Sequence, residues 1–246
     1  MATDTRKIST KIWRPVVDKL TRKLERACLR RDAFLERVLE VELPSLDDEV
    51  ALPNEEVARR FVAERLDQLD RKLVSLSLKS ELVSHLDVIC ERRRIVRDAF
   101  FNRFFFLLAA SPAAIDRLFF RGVPKWRTEV WSEWKHEGPF FQNVFYPLEQ
   151  DVDPFWPIRA GLELLSDDSD LVEVAEPTSG TQVKVRIDRS GRRSLPDRLY
   201  TVVFDNEAFR DADLFGLNCH LPVWRIPGHP EQLTYRKELD ELLADL

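Results

Sequence analysis

The sequence predicts an α+β fold: a mainly helical N-terminal half built from two copies of one unit, then a small α+β half with a β-hairpin and a third strand. Three observations carry this prediction. Arg31-Asp32-Ala33-Phe34 recurs 66 residues later as Arg97-Asp98-Ala99-Phe100. Each tetrapeptide follows a short alternating apolar/polar run and a stretch with apolar residues at helical spacing. Beyond Ser111-Pro112 the long helical patterns give way to aromatic residues, prolines and new alternating runs.

Laid over one another without a gap, residues 6–43 and 72–109 share ten identities. Ser9 falls on Ser75, Val17 on Val83, Leu20 on Leu86, Glu25 on Glu91, Arg26 on Arg92 and Arg37 on Arg103, besides the tetrapeptide. Ordinary residue frequencies give about two or three by chance, so the halves are an internal duplication.

Each copy opens on a strand pattern. Ile8, Thr10 and Ile12 share one face in the first, Val74, Leu76 and Leu78 in the second. A helix follows, with Pro15 in its opening turn and Val16, Val17, Leu20 and Leu24 on its apolar stripe; in the second copy Ser80 is a candidate N-cap before Leu82, Val83, Leu86 and Cys90. After a basic break at Arg30-Arg31 or Arg92-Arg93-Arg94, a second apolar helix runs through Phe34, Leu35, Val38 and Leu39, or Phe100, Phe101, Phe104 and Phe105. Such a unit of about forty residues is too small to bury its own apolar faces, and the second copy supplies the partner.

Between the copies, Leu43-Pro44-Ser45 is expected to end the second helix and Asp47-Asp48-Glu49 to form a loop. Asn54 is then the candidate N-cap of a connecting helix through Val57, Phe61, Val62, Leu66 and Leu69. The expected organisation is a tandem unit over 1–110, comprising repeats 6–43 and 71–110 joined by an acidic helical linker 44–70, and a C-terminal domain over 111–246.

Strand, helix, turn and helix in duplicate resembles the ribbon-helix-helix family of prokaryotic DNA-binding proteins. In that family two units interlock, their strands pair antiparallel, and the two-stranded ribbon enters the major groove of double-stranded DNA. Here both units lie in one chain, a pseudo-dimer. The resemblance implies that the outward strand residues Lys7, Ser9 and Lys11, with Ser75 and Ser77, face the bases. Leu73, the third outward residue of the second strand, departs from the family's polar face and offers at most contact with a thymine methyl. Phosphates are expected at the start of each second helix, near Arg30, Arg31 and Arg97, where Asp32 and Asp98 are also candidate helix caps. With the donors read strand by strand, the first copy is expected to specify its half of the DNA site better than the second.

Charge is distributed in keeping with this. The net charge is −5, yet residues 1–43 and 71–108 each carry +4, while 44–70 carry −5 and 109–246 carry −8. The positive charge sits on the repeats. Charged residues at 33% and hydrophobic ones at 44% are an ordinary globular composition. The longest apolar run, Phe104 to Ala110, is too short to span a bilayer. With no apolar signal core in the opening residues and three scattered cysteines, Cys28, Cys90 and Cys219, a cytoplasmic protein with reduced thiols is expected.

In the C-terminal half, helices are expected over Ile115–Phe120, Trp126–Trp134 and Ile158–Leu165, a hairpin from Leu171–Ala175 and Gln182–Ile187, a third strand over Leu199–Phe204, and a final helix with Leu239, Leu242, Leu243 and Leu246 on one face. The basic loop Arg189–Arg193, with Ser190-Gly191, is expected to be an exposed turn, contact with a phosphate being the alternative. This half is assigned to a homo-oligomer contact, effector sensing or a protein partner. Asp170 with Gln182 and Lys184 loosely matches a metal-dependent nuclease pattern, with Gln where a metal-binding Glu is required. Cys219, His220 and His229 lack a fourth metal ligand. No catalytic residue, metal or cofactor is assigned. The expected function is sequence-specific DNA binding by a transcriptional regulator. The alternatives are a non-enzymatic interaction scaffold, either antitoxin-like or a complex subunit, and third a metal-dependent nuclease.

Overall fold

The two alternating runs of the repeats form one antiparallel ribbon. In the computed structural model, which describes residues 4–120, 153–166, 171–175, 182–186, 198–205, 213–234 and 237, β1 (Thr5–Trp13) pairs with β2 (Arg71–Lys79). Each strand leads directly into two helices. After β1 come α1 (Arg14–Arg26) and α2 (Arg31–Glu49); after β2 come α4 (Ser80–Arg92) and α5 (Arg97–Ala109), with α3 (Glu56–Asp67) connecting the units. The described residues are mainly helical with two two-stranded antiparallel sheets, an α+β architecture.

The register places Ser9 opposite Ser75, and these two are equivalent positions of the duplication. A pseudo-two-fold axis therefore passes between them. Hydrogen bonds repeat around it at the 66-residue offset: Arg14 N–H donates to Asp70 O and Ser80 N–H to Asp4 O. The turns between helices repeat as well. Leu29 N–H donates to Leu24 O and Cys28 N–H to Glu25 O, as Ile95 N–H does to Cys90 O and Arg94 N–H to Glu91 O. Cys28 (φ 55°) and Arg94 (φ 51°) take the left-handed conformation that closes a helix in this way.

Ile8, Thr10 and Ile12 on β1, with Val74, Leu76 and Leu78 on β2, are buried on the inner face of the ribbon, as the alternation predicts. One apolar core runs from these residues through Leu35, Phe100, Phe101 and Phe104 to Phe119, Phe155, Tyr200 and Phe204. Every residue of α5 from Ala99 to Ala109 is buried. This helix is enclosed by the rest of the protein, which its apolar sequence on all sides suits. Helices α6 (Pro112–Phe119) and α7 (Trp156–Ser166) follow, then strands β3 (Leu171–Ala175) and β4 (Gln182–Arg186), paired as the expected hairpin. Two 3-10 turns, Leu214–Leu217 and Val223–Arg225, come after these, and residues 230–234 are helical. Gly216 lets the first of them approach α3, because a Cβ there would meet Leu66 Cα at 2.6 Å.

Four expectations are corrected. The second helix does not end at Pro44 but runs on to Glu49, taking Asp47-Asp48-Glu49 into its last turn. Proline costs a helix one N–H bond, and here Leu43, Leu46 and Val50 are buried while Glu42 and Glu49 are tied to residues far along the chain. Asn54 caps no helix: Glu55 is the N-cap of α3. Instead its amide donates to Cys219 O at 2.8 Å and Arg94 O at 3.3 Å and accepts from Leu221 N–H at 2.9 Å. Ser80 is the first residue of α4, with Lys79 at the N-cap. Residues 199–204 form a turn and an irregular stretch rather than a strand, the carbonyls of Leu199 and Val202 facing a buried arginine and that of Phe204 the Asn218 amide instead of a neighbouring strand. Arg103 donates to Leu199 O and to Val202 O at 2.9 Å, its guanidinium 3.9 Å from the Phe204 ring. The Trp126–Trp134 helix, the Arg189–Arg193 loop and the final leucine helix lie outside the described residues.

A buried ion cluster joins the two halves of the sequence. Arg159 on α7 donates to Glu42 Oε2 at 2.9 Å, Glu49 Oε1 at 2.6 Å and Asp153 Oδ1 at 2.5 Å. Tyr200 donates its hydroxyl to Glu42 Oε2 at 2.7 Å and its backbone N–H to Glu49 Oε2 at 2.8 Å. Removing Arg159 leaves buried carboxylates unpaired, so Arg159→Ala is expected to cost about 3–5 kcal/mol in urea unfolding at neutral pH. Burial, only partly offset by Arg159, pushes the Glu42 carboxyl up to about 6. Its folded form therefore holds a proton more tightly than the unfolded chain. The stability this gives is full below the unfolded value and lost as pH rises through about 6. The wild type is expected to lose about 2 kcal/mol more than Glu42→Gln between acid and neutral pH; parallel pH curves would contradict this.

Candidate nucleic-acid interface

Alternation in a paired strand sends every second side chain outward. On the outer face of the ribbon Lys7, Ser9, Lys11, Leu73, Ser75 and Ser77 are all exposed, so the structure brings the five strand residues singled out by the sequence onto one surface. Leu73 lies among them and is 64% exposed.

The antiparallel register changes how this face is divided. Lys7 stands opposite Ser77, and Lys11 opposite Leu73, on either side of the Ser9–Ser75 pair. A strand-by-strand reading gives one half both lysines. Pairing instead places one lysine at each end, so the ends differ in the residue beside it: serine at one, leucine at the other.

Electrostatics single out the same two lysines. At the ribbon's margins, Arg6 lies 3.3 Å from Asp87, Arg14 2.9 Å from Asp70 and Lys72 3.8 Å from Asp18. Lys79 sits between Glu36 and Glu40, and its hydrogen bond to Glu40 raises its pKa. Lys7 and Lys11 have no acidic partner among the described residues. Both ammonium groups are left for solvent or a ligand.

The helix starts supply a second layer. Asp32 and Asp98 cap nothing in their own helices. They reach across to the opposite unit's strand, Asp32 Oδ2 accepting from Ser77 N–H at 3.0 Å and Asp98 Oδ2 from Lys11 N–H at 3.3 Å. Glu36 and Asn102 repeat the arrangement one turn on, accepting from Lys79 N–H at 2.9 Å and Trp13 N–H at 2.8 Å. These four side chains hold the ribbon onto the helices, and no local pattern announces them because each partner lies 43 to 89 residues away.

The arginines divide by partner. Arg30 is exposed with no acidic partner among the described residues. Arg31 is held by Asp32 at 2.7 Å and donates to Ser75 O at 2.6 Å, and Arg97 meets Asp87 at 3.3 Å. The opening turns also differ: Ala33 of α2 is exposed, whereas Ala99 of α5 is buried in a cluster with Ala58, Val62 and Phe215. Approach to the start of a second helix is freer in the first unit. Asp170 lies outside the described residues, as do the side chains of Gln182 and Lys184.

Asp98 also accepts from the buried Thr10 hydroxyl at 2.8 Å, a bond that Leu76, the equivalent of Thr10, is unable to offer Asp32. Asp98→Ala is accordingly expected to cost about 1.5–3 kcal/mol in urea unfolding, more than Asp32→Ala, and Thr10→Val should recover part of the loss. Equal costs for the two aspartates would contradict the asymmetry. No protein-family model, curated protein or solved structure matches this chain.

Proposed function

We propose that the chain binds double-stranded DNA, laying the β1–β2 ribbon into the major groove, and acts as a sequence-specific regulator of transcription. The observation that carries this reading is the outer face of the ribbon: two lysines without acidic partners, one on either side of the Ser9–Ser75 pair, with Ser77 as a third serine beside Lys7. A two-stranded ribbon with strands about 4.8 Å apart suits a groove about 12 Å wide. Lysine donates to the acceptors of guanine, and serine to several base edges. Lys7 and Lys11, four residues apart, span on the order of 13 Å, or about four base-pair steps at 3.4 Å. Arg30 and the open start of α2 are suited to a backbone phosphate.

The scaffold reading has one observation behind it. Arg31, Arg97, Asp32 and Asp98 are engaged within the protein, so much of the charge near the helix starts serves the fold, and a fold does not fix a function. The two readings separate on salt.

Fluorescence anisotropy with duplex DNA should give binding that weakens steeply with salt. Lys7→Ala/Lys11→Ala should weaken the complex and relax its sequence preference, whereas loss of the phosphate contact in Arg30→Ala should lower the logarithmic salt slope by about one. No binding at low salt would favour the scaffold. Where a preferred sequence is selected, Leu73→Ser should relax the preference only at the end contacted by Lys11, where leucine meets a thymine methyl. A change at both ends would contradict this assignment.

A further inference from the structure

Among the described residues the linker helix α3 has no equivalent after the second unit, so it breaks the pseudo-two-fold. It stands beside the second unit and leaves a cleft of about 790 Å³ between itself and α4, within the size range of small-molecule sites. One wall is a single face of α3, carrying Glu56, Arg59, Arg60 and Ala63 at helical spacing. Facing it, α4 contributes Asp87, Cys90 and Glu91, and the turn into α5 contributes Ile95, Val96 and Arg97.

The cleft is preformed. Asn54, 5% exposed, pins the start of α3 to the α4–α5 turn through its backbone N–H to Arg93 O and its side-chain amide to Arg94 O. The same amide donates to Cys219 O, so the C-terminal half fixes the wall as well.

Its charges are balanced but incompletely paired. Arg59 lies 3.7 Å from Glu56, and Arg97 lies 3.3 Å from Asp87. That leaves Arg60 on one wall and Glu91 on the other, neither with an oppositely charged partner among the described residues. Ala63, Ile95 and Val96 make the remaining surface apolar, and Cys90 adds a thiol that burial pushes up to about 12. Such a thiol is neutral at physiological pH and packs as a small apolar group. A single anion would leave Glu91 unmatched, and a single cation would leave Arg60 so.

We propose that this cleft binds a small zwitterion of the amino-acid class, a free amino acid or short peptide whose carboxylate meets Arg60, whose ammonium meets Glu91 and whose apolar side chain lies on Ala63, Ile95 and Val96. The lining of the cleft includes none of the ribbon's outward strand residues, and the proposal does not rest on DNA binding. In the first unit the positions equivalent to Glu91 and Arg97 are Glu25 and Arg31, but among the described residues no counterpart of α3 faces them, so one site per chain is expected.

Calorimetric titration of the full chain with L-leucine, L-phenylalanine and their dipeptides at millimolar concentration tests this. Saturable binding of at least one of them, one per chain, is expected. For that compound, its N-acetyl form, lacking the ammonium, and its amide form, lacking the carboxylate, should each bind about tenfold more weakly. Arg60→Ala should abolish the distinction between the compound and its amide, and Glu91→Gln that between the compound and its N-acetyl form. Absence of binding by every probe would overturn the proposal, as would binding indifferent to both chemical caps. The cap comparisons use the unaltered protein, so they decide the matter even if a substituted chain fails to fold.

Discussion

Antiparallel pairing of β1 with β2 is the constraint on which the rest of the molecule depends. Each unit of about forty residues has apolar faces on its strand and on both helices, too much surface for one unit to hide. Pairing through Ser9 and Ser75 brings the inner faces of both strands over one core. Asp32, Asp98, Glu36 and Asn102 then fasten each second helix to the other unit's strand through backbone N–H groups. Because a one-residue slip would turn the buried residues outward, these hydrogen bonds and the apolar alternation enforce the same register. The outer face is a consequence: whatever it contacts meets a surface whose spacing is set by the core beneath.

The C-terminal half fits the duplicated body at points where the copies differ. Arg103 and Arg37 are equivalent, but Arg103 is buried under the turn at 199–202, while Arg37 pairs locally with Glu40. Glu42 is equivalent to Leu108; only the carboxylate recruits Arg159 and Tyr200. A pair of identical units would offer two such docking places. Divergence between the copies leaves one, and α3, tied to the α4–α5 turn through Asn54, lies beside the second unit, where the cleft opens.

Much of this was legible in the sequence, because the duplication showed each strand and helix twice. Alternation over Ile8, Thr10 and Ile12 gave the buried face, and hence the outward set from Lys7 to Lys11. What escaped was set by distant partners. Pro44 is an ordinary helix stop judged locally, but the apolar burial of Leu43 and Leu46 and the anchoring of Glu42 and Glu49 carry the helix past it. Asn54 has the makings of an N-cap and is instead spent on carbonyls of residues 94 and 219. The apolar and β-branched run from Leu199 to Phe204 reads as a strand until the buried Arg103 claims the carbonyls of Leu199 and Val202. On the candidate interface, side-chain identity was readable but adjacency was not. Only the register shows that Lys7 neighbours Ser77 and Lys11 neighbours Leu73.

The central functional claim is that the outer ribbon face is where duplex DNA would lie, and mapping backbone amide shifts by NMR during titration with a DNA duplex tests it most directly. Perturbations concentrated at Lys7, Ser9, Lys11, Leu73, Ser75 and Ser77, with Arg30 and Ala33 of the open helix start beside them, are the expected result. Perturbations that leave the ribbon unchanged and cluster elsewhere on the chain, or a spectrum unaltered by DNA at low salt, would contradict it.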